Sequence, residues 1–168
     1  MYLSKVTIEN FGSFGEGPKR FELSLRPGLT ALVGENDAGK TAVIDALRLV
    51  LGTTDQEWYH LEETDFHAGE EGACREMKII CKFDDLLEAD QRAFLECLTY
   101  GEGGGAEPVL CVHLTAKDSG ETHKDRTYRR FETHSGKAAD GPALAQNARG
   151  LLSAIYLRPL RDAGVRKK

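Results

Sequence analysis

The sequence lacks any apolar stretch long enough to cross a membrane, and its first residues lack the charged start and apolar run of a secretory signal. Cysteine is also scarce: there are 4 cysteines, none in C-x-x-C spacing and none with a histidine at ligand spacing. This pattern argues against a cysteine-based metal site and indicates reduced thiols in a cytoplasmic protein. Because free cysteine is often buried, Cys81 and Cys111 are predicted to lie in the core.

A strong positive charge is absent as well. Among 168 residues, Lys and Arg number 22 and Asp and Glu number 27, which gives a formal net charge of -5. This mild acidity argues against a surface devoted to nucleic acid but allows a local basic patch. Arg158, Arg161 and the run 166–168 form a basic end, which is interpreted either as a DNA- or phosphate-facing patch or as a solvated chain end, the latter favoured for 166–168. The length predicts one domain with its own core.

One segment carries a sharp chemical meaning. Residues 34–41 read Gly-Glu-Asn-Asp-Ala-Gly-Lys-Thr and match the G-x-x-x-x-G-K-[ST] phosphate-binding loop in full. In such a loop, backbone N–H groups of the loop and of the following helix bind phosphate oxygens. Lys40 is predicted to contact the β- and γ-phosphates of ATP as the catalytic lysine, and the Thr41 hydroxyl is predicted to be a ligand of Mg²⁺. The predicted cofactor-binding residues are Gly34, Glu35, Asn36, Asp37, Ala38, Gly39, Lys40, Thr41 and Ala42.

The flanks of the loop fit the strand, loop and helix arrangement that this mechanism needs. The apolar run 29–33 predicts a short buried strand. The apolar spacing over 41–51 predicts a helix that is apolar nearly all round and therefore buried, with Gly52 as its end. Asp37 is interpreted as a residue that sets the shape of the backbone, because Asp tolerates left-handed backbone and its charge is unfavourable beside phosphates.

The remaining pattern predicts an antiparallel layer beside the loop. Short segments alternate apolar and polar residues, which is typical of strands with one wet face. The fold class is therefore α/β, a P-loop NTPase core with an added antiparallel β-layer. Strands are predicted at 5–9, 20–25, 77–83, 109–115, 126–131 and 152–157, helices at 88–98 and 143–149, an irregular acidic segment at 53–75 and a flexible loop at 101–105.

Several stretches resemble one branch of the ATPases. Residues 6–11 (Val-Thr-Ile-Glu-Asn-Phe), 28–41 and 43–48 are similar to the RecF/SMC-type ABC ATPases, in which a strand ending in Asn-Phe precedes a G-x-N-x-x-G-K-[ST] loop. The form of the loop and the segment 155–163 most resemble the OLD (Overcoming Lysogenization Defect) family of ATP-dependent nucleases. The resemblance spans nearly the whole chain. It implies that ATP and Mg²⁺ are bound and that the full protein acts on DNA, as an endonuclease in DNA repair or phage defence.

Three parts of that family's pattern do not occur in the sequence. There is no apolar strand ending in Asp-Glu, no Ser-Gly-Gly-type signature and no C-terminal acidic nuclease site. The resemblance therefore implies that residues 1–168 are the N-terminal portion of an ABC-type ATPase head, truncated before the insertion, the signature and the Asp-Glu strand. Hydrolysis would then require the missing C-terminal lobe and a dimer partner, and the chain alone would be inactive or weak. The full protein is expected to carry a nuclease region and to form a homodimer.

Four residues near these motifs have a plain structural interpretation. Relatives often carry a basic residue after Asn-Phe, and Gly12 occupies that position here, so no phosphate-binding role is assigned to it. Asn10 is expected to end the first strand. Asp65 lies in an acidic stretch, where a solvated turn is favoured over a ligand to Mg²⁺ or water. His113, flanked by apolar residues, is expected to be a hydrogen-bonded sheet residue.

Two other functions use the same loop. A self-contained phosphotransferase, such as a small-molecule kinase, would bind ATP there, although the sequence shows neither a basic lid nor an obvious acceptor site. A regulatory module would bind nucleotide without hydrolysing it. No membrane partner is expected.

Overall fold

Strands dominate the structure, which is a computed structural model. It describes residues 1–52, 61–69, 72–101, 107–123 and 126–157. Six strands form one sheet and two very short strands form a separate hairpin. The strands are β1 (Tyr2–Glu9), β2 (Phe21–Ser24), β3 (Ala68–Gly69), β4 (Gly72–Ala73), β5 (Glu76–Asp84), β6 (Leu98–Thr99), β7 (Val109–His123) and β8 (Arg126–Ser135). The helices are α1 (Lys40–Leu51), α2 (Glu88–Ala93) and α3 (Gln146–Gly150), with 3-10 turns at Gly17–Lys19, Glu63–Asp65 and Leu95–Cys97.

The main sheet is antiparallel, in the order β2-β1-β5-β7-β6, with β8 paired to β7. Ile8, Ile79 and Leu114 form one row across β1, β5 and β7, and all three are fully buried. Lys78, next to Ile79 in sequence, faces the other side and is exposed, as the period of two in a strand requires. The predicted strands at 5–9, 20–25 and 77–83 and the predicted hairpin are confirmed by β1, β2, β5 and the β7–β8 pair.

Helix α1 packs one face against the core of this sheet. Val43, Ala46 and Val50 are buried, whereas Ile44 is 38% exposed. The predicted helix is confirmed, but the prediction that it is buried all round is wrong, because the described residues cover only one of its sides. Gly52 ends the helix as predicted: its φ is +71°, and its N–H donates to the Arg48 carbonyl at 3.0 Å.

The segment after β8 returns to the C-terminal end of α1. The Arg149 guanidinium donates to the carbonyls of Leu49 and Val50, and the Ala154 N–H donates to the carbonyl of Gly52 at 3.2 Å. Carbonyls at this end of a helix lack intrahelical partners, and a cation there is favoured by the helix dipole. The segment therefore stabilises the end of α1 that lies opposite the phosphate loop.

The predicted buried strand at 29–33 is not a strand in the structure. Leu29 is 99% exposed and Val33 is 93% exposed, although Leu32 packs partly against the core. A strand needs a neighbour for its backbone N–H and C=O groups. Residues 29–33 pair with no strand in the described part of the chain, so the prediction is wrong for the structure as described.

The predicted final strand at 152–157 is also wrong. Leu152 is buried, as expected, but Ile155 is 78% exposed and Leu157 is 83% exposed. Within the described residues this segment joins neither sheet, so its apolar side chains have no strand beside them. The two failed predictions thus concern apolar segments that lack a neighbour, rather than segments with the wrong composition.

Two predicted helices are shorter than expected. The helix predicted at 88–98 ends at Ala93, because the buried Phe94 leaves helical geometry with φ −114° and ψ 21°, and the following residues form a 3-10 turn and β6. The helix predicted at 143–149 forms only as α3. Residues 53–60, 70–71, 102–106, 124–125 and 158–168 lie outside the described residues, including most of the predicted 101–105 loop and the basic end. None of the described helices is long and apolar enough to span a membrane.

Candidate phosphate-binding site

The backbone of residues 34–39 turns tightly into α1. Asp37 and Gly39 adopt left-handed backbone, with φ of +64° and +82°, and the Ala38 N–H donates to the Glu35 carbonyl at 3.3 Å. Asp is one of the few residues with a side chain that enters this region at modest cost. The interpretation of Asp37 as a residue that shapes the backbone is therefore confirmed.

The start of α1 presents backbone donors with no intrahelical acceptor. The first helical hydrogen bond runs from the Val43 N–H to the Gly39 carbonyl at 3.1 Å, and no side chain caps Gly39. The N–H groups of Lys40, Thr41 and Ala42 precede that bond and so make none within the helix. No acidic residue occupies the first turn. This helix end is therefore positively polarised and suited to an anion.

The Lys40 side chain folds back over the loop. Its ammonium group donates to the carbonyls of Gly34 and Glu35, at 2.8 and 2.5 Å. This places a full positive charge on the loop that leads into α1. Thr41 is exposed at the same helix end. Since Mg²⁺ commonly takes only one or two protein ligands besides waters and phosphate oxygens, a single Thr41 hydroxyl fits the predicted metal role.

A tight turn in the connection from β1 to β2 packs against this loop. The N–H of Phe11 donates to the carbonyl of Phe14, and the N–H of Phe14 donates to that of Phe11, each at 3.0 Å. A Cβ placed on Gly39 would lie 2.6 Å from Phe14 Cζ and 2.7 Å from Ser13 Oγ. A Cβ on Gly12 would lie 3.2 Å from Ala42 Cβ. Glycine at both positions therefore allows the turn and the loop to come into contact.

The same turn is held from its other side. The Gly12 N–H donates to the Asp65 carbonyl at 2.7 Å, and His67 Nδ1 donates to the Gly12 carbonyl at 3.0 Å. The Phe14 ring lies against the Phe21 ring of β2, with centroids 4.6 Å apart. Ser13, Phe14 and His67 were not predicted from the sequence as neighbours of the loop. The available signal for Ser13 was its place in the Asn-Phe-Gly-Ser run.

The acidic residues near the site have structural partners. The Asp65 carboxylate accepts from the Glu62 N–H at 2.7 Å and so caps a short 3-10 turn, which agrees with the favoured interpretation as a turn residue. The Asp45 carboxylate pairs with Arg48 at 3.0 Å, and burial raises the pKa of Asp45 against the opposing effect of that pair. Asn10, with φ +56°, follows the last residue of β1, so it ends the strand as expected.

The other candidate side chains lie in the sheet. His113 Nε2 donates to the Gly136 carbonyl at 2.8 Å, which confirms the expectation of a hydrogen-bonded sheet residue, and burial lowers the pKa of His113. Cys81 and Cys111 are buried free thiols, as predicted, and burial raises the pKa of Cys81 to about 12. Among the described residues, no group of three or more His, Cys, Asp or Glu side chains could hold a metal ion.

Sequence comparisons, like the phosphate-binding motif of the loop, indicate an ATPase. A family model described as an AAA ATPase domain matches residues 1–149. The chain is 50% identical over 52 residues to the chromosome partition protein Smc of Chlorobaculum tepidum, which covers 31% of this chain and 4% of that protein. It is 29% identical over 102 residues to the DNA replication and repair protein RecF of Roseiflexus castenholzii, which covers 57% of this chain and 23% of that protein.

Solved structures show the same fold at low sequence identity. One, described under ATP-driven dimerization and DNA-stimulated activation of SMC ATPases, matches with a TM-score of 0.56 at 17% identity over 90% of this chain and 77% of that chain. An Smc head bound to the C-terminal winged-helix domain of ScpA matches with a TM-score of 0.55 at 17% identity, over 90% of this chain and 40% of that chain. The predicted fold class, a P-loop NTPase of ABC/RecF-SMC type with an antiparallel layer, is confirmed.

Proposed function

Since the chain belongs to the AAA ATPase domain family, we propose that it is the ATP-binding lobe of a DNA-acting ATPase of RecF/SMC type. The observation that carries this proposal is the loop before α1, where the Lys40 ammonium is held on the loop by the carbonyls of Gly34 and Glu35 and the first helical turn has N–H groups with no side-chain cap. Together they form a positively polarised cradle that matches the charge of a phosphate chain. Two of the relatives are named as a chromosome partition protein and as a DNA replication and repair protein, which supports a role linked to DNA.

Each part of the cradle has a task in holding ATP. Backbone N–H groups of the loop and of the first helical turn donate to oxygens of the phosphates. Lys40 exchanges its bonds to the carbonyls of Gly34 and Glu35 for bonds to the β- and γ-phosphates. The Thr41 hydroxyl would be a protein ligand of Mg²⁺. When bound, Mg²⁺ would neutralise negative charge on the phosphates.

We further propose that a second lobe completes the ATPase. Leu29 and Val33, next to the phosphate loop, are almost fully exposed, as are Ile155 and Leu157 in the last described segment. Strands of a C-terminal lobe would pair with these segments and cover their apolar side chains, which are costly to leave in water. The match to Smc and RecF spans only a small share of those proteins, which is consistent with a lobe that works together with further sequence.

The finer assignment concerns the reaction coupled to ATP. Resemblance of the loop and of 155–163 to the OLD family leads us to propose that the full protein is an ATP-dependent endonuclease, in DNA repair or phage defence. On this proposal the nuclease site lies outside residues 1–168, as do the Asp-Glu strand and the signature. The chain alone should therefore neither nick nor cut plasmid DNA with Mg²⁺, while a protein that carries the further lobe and nuclease region should do so.

Nucleotide binding is the direct test of the cradle. We expect the chain to bind ATP with Mg²⁺ and Lys40→Ala to weaken that binding by at least about 100-fold, because the variant loses a charge-assisted contact to the phosphates. Lys78→Ala is the matched control, since Lys78 is exposed on the far face of β5 and pairs with Glu76 at 3.2 Å, away from the loop. Calorimetric titration of both variants measures the difference. Equal binding by Lys40→Ala and the unaltered chain would contradict the proposed site.

ATP turnover separates the proposal from its alternatives. We expect little phosphate release by the chain alone, because no Asp-Glu strand or signature is present to complete the site. Robust release would rule out a split site, and transfer of phosphate to a small acceptor would favour a phosphotransferase. Tight ATP binding that stays without turnover even when a C-terminal lobe and a second copy are supplied would favour a regulatory module.

A further inference from the structure

Ser13 lies at the tip of the tight turn that contacts the phosphate loop. Its Oγ is 2.7 Å from the position that a Cβ on Gly39 would occupy, and Gly39 is the residue directly before Lys40 and α1. Ser13 is exposed, and its hydroxyl makes no hydrogen bond to another described residue. A polar donor is therefore available beside the loop at the point where the loop becomes a helix.

The position of Ser13 is fixed by its neighbours. Gly12, on one side, is held by the Asp65 carbonyl and by His67. Phe14, on the other side, stacks on Phe21 and closes the turn through two backbone hydrogen bonds with Phe11. The backbone at Ser13 is therefore held in place, so little backbone freedom is lost when its hydroxyl binds a ligand.

We propose that Ser13 is a nucleotide-positioning residue whose hydroxyl donates a hydrogen bond to a phosphate oxygen of the bound nucleotide. This inference rests on the proposed function of the loop and adds a contact from outside the G-x-x-x-x-G-K-[ST] motif. The ligand class is a nucleoside di- or triphosphate, because the hydroxyl lies beside Gly39, in the loop proposed to bind phosphates rather than a base. On this proposal, the turn between β1 and β2 contacts the nucleotide that the loop binds.

Three serine variants and one calorimetric assay test this proposal. Ser13→Ala should weaken ATP binding by about 10-fold, as expected for loss of a hydrogen bond to a charged group. Ser13→Thr keeps the hydroxyl and should bind within about 3-fold of the unaltered chain. Ser24→Ala is the matched control, because Ser24 is exposed on β2 and pairs with Lys5 rather than with the turn. The same titrations with adenosine, which has no phosphate, should give no difference between Ser13→Ala and the unaltered chain.

The outcomes distinguish this inference from the proposed function. If the unaltered chain binds ATP and Ser13→Ala binds it equally well, the inference is wrong and the ATP site stands. If Ser13→Ala and Ser13→Thr are weakened alike, the turn needs a serine-sized residue and the proposed hydrogen bond is wrong. If the unaltered chain binds no nucleotide, both the site and the inference fail. The midpoint of thermal unfolding without nucleotide should stay within about 2 °C across the variants, which excludes loss of fold as the cause.

Discussion

The antiparallel sheet and the segment that leads into the phosphate loop use similar apolar residues in opposite ways. In the sheet, Ile79 of β5 is fully buried, and its strand lies between β1 and β7. At 29–33, Leu29 and Val33 are almost fully exposed. The difference is one of partners, because every inner strand of the sheet has two neighbours and the 29–33 segment has none among the described residues. Among the described residues, the apolar side chains of the inner strands are therefore covered, whereas those of the 29–33 segment are not.

The largest expected effect tests this contrast in stability. Ile79→Ala should lower the free energy of unfolding by about 2–5 kcal/mol, because it opens a cavity in a packed core. Leu29→Ala should change it by no more than about 0.5 kcal/mol, because an exposed side chain loses almost no burial. Urea unfolding of both variants, followed by circular dichroism, measures the two values.

A different result would change the comparison. A loss above about 1 kcal/mol for Leu29→Ala, growing with protein concentration, would show that a second copy covers the 29–33 segment in solution. A loss below about 1 kcal/mol for Ile79→Ala would mean that the sheet is loosely packed, contrary to its burial. The first result would remove the contrast by covering the 29–33 segment, and the second would remove it by loosening the sheet.

A smaller effect tests the contact between the phosphate loop and the turn that connects β1 and β2. Gly39→Ala should cost about 1–3 kcal/mol of stability, because φ +82° disfavours a side chain and the new Cβ would meet Phe14 and Ser13. ATP binding should fall as well, since the loop must shift away from the turn. Gly17→Ala is the matched control: its φ of +56° brings a similar backbone cost, but no atom lies within 4 Å of its Cβ position.

The difference between these two glycine variants isolates the contact between turn and loop. If Gly17→Ala costs as much stability as Gly39→Ala, and ATP binding is unchanged in Gly39→Ala, the turn does not constrain the loop. That outcome would separate the loop from the sheet and remove the structural basis for a role of Ser13.

The sequence predicts the elements that depend on local pattern. Alternation of apolar residues located β1, β5 and the β7–β8 hairpin, because a period of two leaves one face for the core. Glycine at 52 marked the end of α1, because its positive φ suits a helix stop. The phosphate loop is predictable from its G-x-x-x-x-G-K-[ST] motif. In the structure, Asp37 and Gly39 take the left-handed backbone that this turn requires.

The predictions failed where the outcome depends on distant partners. Composition alone favours strands at 29–33 and 152–157, but strand formation requires a neighbour that pattern does not supply. The contact of Ser13 and Phe14 with Gly39 joins residues that are far apart in sequence, and no local period encodes it. The burial of Phe94, which ends α2 early, likewise depends on the core that its ring enters.

The smallest expected effect concerns His113, on the sheet and away from the loop. Burial lowers its pKa, while the Gly136 carbonyl and Asp140 oppose that shift and His134 adds to it. Because the folded state binds the proton less readily than the unfolded state, stability should be full above the ordinary histidine pKa and should fall as the pH drops below about 6.5.

Replacement of this side chain should remove that part of the pH dependence. His113→Gln keeps a donor for the Gly136 carbonyl but cannot titrate, so its unfolding free energy should decline less than that of the unaltered chain between about pH 7.5 and pH 5.5. ATP binding at pH 7.5 should be the same in both, since His113 contacts Gly136 and not the loop. Parallel stability curves would show that His113 carries no buried, neutral ring, and a change in ATP binding would show that the sheet and the loop are coupled more strongly than their contrasting exposure indicates.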